Sequence, residues 1–188
     1  MSGQREVGYA GMWAPPEEDP RLATAAAPEG ELATIREYLS HYRLTLGMKC
    51  EGLSAEQLAT RSVPPSTMSL LGLIRHMAGV EHHWFHRTLQ NNLDTPRLYW
   101  SAQERDLDFD GAVADPDVVR DAFEAWRAQI AAADAWLDSP VDLSAVTVLD
   151  DGERVGVRDI LIHMIEEYAR HCGHADLLRE CIDGRTGQ

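Results

Sequence analysis

Positive charge is what this sequence has least of. Seventeen lysines and arginines stand against 31 aspartates and glutamates, for a formal net charge of −14, and Lys49 is the one lysine among them. A surface this acidic repels nucleic acid and anionic membranes at long range, so neither is an expected partner. Long apolar runs are missing as well: no stretch approaches the roughly 18 residues that a membrane-spanning helix requires. No basic region followed by an apolar one opens the chain, so no export signal is read. The three cysteines, Cys50, Cys172 and Cys181, are odd in number and lack CxxC spacing. Reduced thiols in a cytoplasmic protein are therefore expected. HExxH, GxGxxG, the phosphate-binding loop and GxSxG are all absent, and no Glu-x-x-His pair supports a di-iron bundle.

What remains is helical. A chain of 188 residues with 44% apolar composition suffices for one domain with a sizeable core. Residues 1–30 carry Pro15, Pro16, Pro20 and Pro28 and the alanine patch Ala23 to Ala27, and read as an irregular arm with Trp13 as its anchor. Residues 31–188 form the expected domain. Leu32, Ile35, Leu39, Tyr42 and Leu46 mark a first helix over about 31–50. A second starts after Pro64-Pro65, with Ser66 or Thr67 as N-cap, and runs to about Leu89. The polar connection 90–116 shows no helical period. Val119, Phe123, Trp126, Ile130 and Ala133 define a third helix, and a fourth runs from about Val157 to Cys181, stopped by Asp183-Gly184. Val146 to Leu149 and Arg154 to Val157 flank Asp150-Asp-Gly-Glu153, the pattern of a short β-hairpin before the last helix. The fold class expected is all-α, an antiparallel four-helix bundle.

The chemistry concentrates in the fourth helix. With Met164 at the centre of its apolar stripe, Val157, Ile160, Leu161, Tyr168, Ala175 and Leu178 share one side. His171 points nearly along that stripe, and Glu167, one turn earlier, lies on its edge. A carboxylate facing a core needs a partner. The partner that best fits this pair is a divalent metal ion, whose third ligand would be His76 on the edge of the second helix's stripe. Two imidazoles and one carboxylate suit zinc, nickel or ferrous iron and leave a position open, as catalytic sites do. A mutual Glu167–His171 hydrogen bond, or a Glu167–Arg170 surface pair, is the metal-free alternative. His163 and His174 are read as groups that orient a ligand or relay protons. Trp84 and Tyr168 are assigned to the core, Cys172 to helix packing, and Glu17, Glu18 and Asp19 to a solvated run.

Leu70-Leu-Gly-Leu-Ile-Arg-His76, Val80-Glu-His-His-Trp-Phe85, and Glu167-x3-His171-x-Gly-His-Ala-Asp-Leu-Leu-Arg179 with Ile182-Asp-Gly-Arg-Thr-Gly187 resemble the DinB-like superfamily. The resemblance runs from about Pro20 to the C-terminus. It implies a four-helix bundle, often a homodimer, with a divalent metal in a cleft. It also implies kinship with thiol-dependent transferases and with mycothiol-dependent maleylpyruvate isomerase. The family's second-helix histidine falls on His76 and that of its His-x-Gly motif on His171. Where many members have a further histidine, this chain has Glu167, which matches the carboxylate-containing triad of the isomerase branch. The function so implied is a metal-dependent transferase or isomerase that uses mycothiol, or a thiol of that type, on a small electrophile. The competing expectation is a non-catalytic or degenerate bundle that acts through protein partners.

Overall fold

The structure, a computed structural model, describes residues 13–22 and 28–187. The first twelve residues of the expected arm and the alanine patch lie outside the described residues. A 3-10 turn at Pro20–Leu22 precedes α1 (Glu31–Cys50), which has the bounds its apolar spacing predicts, and α2 (Ala55–Ala59) follows. Next come α3 (Leu70–Glu81), which continues unbroken into a π-helical segment (His82–Leu89), and then α4 (Leu107–Asp110) and α5 (Pro116–Leu137). The antiparallel hairpin β1 (Val146–Val148) and β2 (Arg154–Gly156) pairs Thr147 with Val155 and leads directly into α6 (Val157–Asp183). Gly184, in the left-handed region at φ 76°, ends that helix.

The long helices pack α1 against α6 and α3 against α5, and α3 also meets α6 to close an all-α bundle. Leu39, Leu46, Leu73, Met77, Leu161, Met164 and Tyr168 are buried at its centre. The core also holds an ion pair. Arg43 donates two hydrogen bonds to Glu81, at 2.7 and 2.9 Å, while Tyr168 donates to the same carboxylate and accepts from Trp126. Among the described residues no helix is long and apolar enough to cross a membrane.

Several sequence expectations need correction. Ser69, not Ser66 or Thr67, caps α3, accepting from the Gly72 N–H at 3.0 Å. Ser66 instead accepts from Met68 within the preceding turn. The inward stripe of α5 is Ala122, Trp126, Ala133 and Leu137, whereas Phe123 and Ile130 are only partly buried and line a groove beside α1. Asp19 is buried, not solvated: Arg21 donates to both of its carboxylate oxygens and holds its pKa below the usual range. Trp13 does anchor the arm. The cations of Arg185 and Lys49 lie 3.7 and 3.9 Å from its ring centre, with Arg179 a little further. Lys49 itself is fully buried and paired with Asp176 at 2.6 Å.

The connection 90–116 is ordered around α4. Gly72 makes this docking feasible: a Cβ there would lie 2.6 Å from the Phe109 ring. Arg75 fastens the same turn by donating to the carbonyls of Asp108 and Leu107, each at 2.9 Å.

Candidate metal centre

Three elements meet where α3, α4 and α6 converge. Helical spacing on α6 puts Glu167 and His171 one turn apart on the side facing α3. His76 comes from the middle of α3. Suitable ligand atoms of His76, Glu167 and His171 lie within 4.8 Å of one another. One carboxylate oxygen, Glu167 Oε2, is 3.5 Å from His171 Nε2 and 3.8 Å from His76 Nε2. Ligands about 2.0–2.2 Å from a common tetrahedral ion stand roughly 3.2–3.6 Å apart, so the donor set fits an ion with small adjustments.

The outer nitrogens of both imidazoles are occupied. His76 Nδ1 lies 2.8 Å from Asp108 Oδ2. Because a carboxylate only accepts, Nδ1 carries a hydrogen, and Nε2 is the nitrogen turned toward Glu167. His171 Nδ1 lies 3.2 Å from His174 Nδ1. His171 Nε2 is likewise the nitrogen turned toward Glu167. A histidine whose distal N–H is held by a carboxylate or another acceptor is the usual environment of a metal-ligating imidazole.

Electrostatics keep the cluster in balance without an ion. Burial opposes charge on His76, but Asp108 and Glu167 outweigh it and lift its pKa to about 9. The imidazoles of His171 and His76 hold the Glu167 carboxyl far below the usual carboxylate range, against the effect of burial. Glu167 is therefore ionised, as a ligand must be, while His76 must release its Nε2 proton to bind a cation.

His163 Nε2 is 3.7 Å from Glu167 Oε1, and its ring meets Trp84 edge-on at 5.1 Å between centres. Burial, then the neighbouring His171 and Arg170, lowers the His174 pKa. Arg170 also approaches Glu167, at 3.7 Å. The metal-free alternatives read from the sequence thus coexist with the triad geometry. His82 and His86 stack on each other away from it, at 5.0 Å. Buried Cys172, its pKa pushed up to about 12 by desolvation, donates to the Tyr42 carbonyl and takes no part.

Asp108 was not singled out from the sequence. It lies in a stretch without periodicity, and α4 has only four residues. The glycine in Leu70-Leu-Gly72-Leu was the one available signal of a close approach. Beside the triad, Tyr99 has a φ of 49°, unusual for an aromatic residue, and is held there as its hydroxyl donates to Asp121 at 2.7 Å. Such backbone costs on the order of 1–3 kcal/mol and clusters at functional sites.

The family described as mycothiol S-transferase matches residues 34–184 of this chain. The crystal structure of a conserved protein from Enterococcus faecalis superimposes with a TM-score of 0.59 at 18% identity, over 83% of this chain and 99% of that one. At that identity the likeness concerns the fold alone. No curated protein matches this chain significantly.

Proposed function

This chain belongs to the mycothiol S-transferase family, and on that premise we propose that it joins the sulfur of mycothiol, or of a similar thiol, to a small electrophile in a metal-dependent reaction. His76 and His171, through Nε2, and Glu167 would hold one divalent ion, zinc ahead of nickel or iron. The observation that carries this reading is the pairing of two imidazoles with outer partners while both inner nitrogens face one ionised carboxylate. When bound, such an ion would lower the pKa of the thiol at the position left open by three protein ligands.

The chain's own groups supply the rest. Asp108 and His174 orient the rings of the two histidines. His163, partly exposed and packed on Trp84, is the proposed acceptor of the thiol proton. The S–H bond breaks as the proton passes to the imidazole. A carbon–sulfur bond then forms and the leaving group departs with its bonding electron pair, taking up the proton from His163. Isomerisation would share the addition and end with loss of the thiol. The same kinship supports a homodimer acting in the cytoplasm on a small molecule.

A second reading is a non-catalytic bundle. It is favoured by one observation, that Glu167 already has His76, His163, Arg170 and His171 around it. Metal analysis of protein purified without an affinity tag separates the two, with wild type beside His171→Ala. About one zinc, nickel or iron per wild-type chain, lost in the variant and accompanied by thiol consumption with an electrophile, is the expected result. Wild type that lacks metal and takes up neither zinc nor nickel would leave the second reading standing.

A further inference from the structure

A pocket of about 190 Å³ lies between α3, the π-helical segment and the 90–116 connection, and His76 and Asp108 form part of its wall. It therefore adjoins the triad. Its lining is rich in hydrogen-bond donors. Arg105 lines it from an exposed position and has no hydrogen bond or ion pair among the described residues. Arg97 sits 4.9 Å from the Trp100 ring centre and donates to Asp150 at 2.9 Å. Asp150 also accepts from Arg87, so a single carboxylate serves two guanidiniums and positive charge is in excess.

His83 adds a further donor. Arg87 donates to its Nδ1 at 3.0 Å, which places the ring hydrogen on Nε2. Burial, then Arg97 and Arg87, hold its pKa at about 4, so the ring is neutral near pH 7. The indole N–H groups of Trp84 and Trp100 have no hydrogen-bond partner among the described residues. Against these donors stands Asp108, the one carboxylate in the lining, already committed to His76.

From this lining we propose that the pocket receives the electrophile as a small organic carboxylate, with Arg105 pairing its carboxylate and Trp84 and Trp100 covering its apolar body. The proposal rests on the reading of the triad as a metal centre. Pockets for drug-sized ligands run to roughly 300–1,000 Å³, so this one suits an occupant of roughly ten non-hydrogen atoms. Mycothiol, a sugar-linked cysteine, is too large to lie within it, which leaves the pocket to the other reactant. A guanidinium matches a carboxylate in shape and charge, and indole faces accept flat apolar groups.

Benzoate and benzamide share size and shape and differ in charge. Their binding to the zinc-loaded protein can be compared by calorimetry in wild type, Arg105→Ala, Arg105→Lys and His171→Ala. Wild type is expected to prefer benzoate at least tenfold. Arg105→Ala should abolish that preference without changing zinc content or benzamide affinity, and Arg105→Lys should restore part of it. Equal affinities in wild type, no binding of either compound up to millimolar concentration, or a preference that survives Arg105→Ala would overturn the proposal. The last outcome includes benzoate held by the metal itself. A zinc-loaded protein without the preference loses only the pocket assignment. An Arg105-dependent preference in zinc-free His171→Ala would uphold the pocket independently of the metal reading.

Discussion

Asp108 and His76 meet at 2.8 Å, although 32 residues separate them in the chain. The contact gives a histidine on a helix edge a defined orientation, its Nε2 directed at Glu167. Removing Asp108 should therefore weaken a metal site without deleting a ligand. Asp108→Ala is expected to lower zinc affinity about 10–100-fold, the usual effect of removing an outer partner. Competition with a chromogenic chelator measures this, and unchanged affinity would detach Asp108 from the site.

Gly72→Ala tests how α4 is positioned. In an isolated helix, alanine would be favoured over glycine by about 1 kcal/mol. Here the added methyl would meet the Phe109 ring at 2.6 Å. The clash should outweigh the propensity, so the variant is expected to be less stable and to bind zinc more weakly as Asp108 moves off His76. Paired urea melts and zinc titrations check both effects.

The buried Glu81–Arg43 pair predicts an asymmetric double-mutant result. Glu81→Leu alone leaves a guanidinium in the core and should cost about 3–5 kcal/mol, lowering the melting temperature by roughly 6–20 °C. Adding Arg43→Met should recover much of that loss. Asp134, the other partner of Arg43, has a half-exposed side chain and can turn to water. Thermal melts of both singles and the double form the cycle.

His83 should impose an acid limb on stability. Its pKa falls to about 4 in the folded chain from an ordinary 6.5. Between those values the unfolded chain binds a proton that the folded chain does not, so stability decreases as pH falls from 6.5 to 4 and levels off below. The loss is about 2 kcal/mol, since the ring keeps some contact with solvent. His83→Gln should flatten this limb in urea melts taken at pH 7, 5.5 and 4.5. An imidazole that titrates near 6.5 by NMR would refute the prediction.

Trp13→Ala should release the arm. It strips the ring from three cations and exposes the buried Lys49, at a cost of about 3 kcal/mol. Hydrogen exchange should rise in residues 13–22 and near Arg185. Zinc binding should be unaffected, because Arg179 and His171 are about 12 Å apart along α6.

The legible features were those that repeat locally. The spacing of Ile35, Leu39 and Leu46 marks α1, and the stripe through Met164 aims Glu167 and His171 at the neighbouring helix. That His76 stands opposite them followed from bundle geometry and the family resemblance. The capping box Ser54-x-x-Gln57 opens α2, a helix not expected from the sequence because its five residues show no period. What escaped depends on tertiary contact. Asp19 looks solvated until Arg21 closes on it, and α4 has too few residues to show a period. The π-helical segment has an ordinary helical sequence, so its wider turns leave no mark at the level of residue type.

Those wider turns carry an evolutionary consequence. Bonding from i to i+5 accommodates more residues per turn than an α-helix does, so the segment His82–Leu89 holds surplus chain. Loss of one codon there could return it to α-helical winding and rotate His83 and Trp84 relative to His76, while every triad residue stays in place. A single in-frame deletion could thus exchange one wall of the pocket beside His76 for another and leave His76, Glu167 and His171 together.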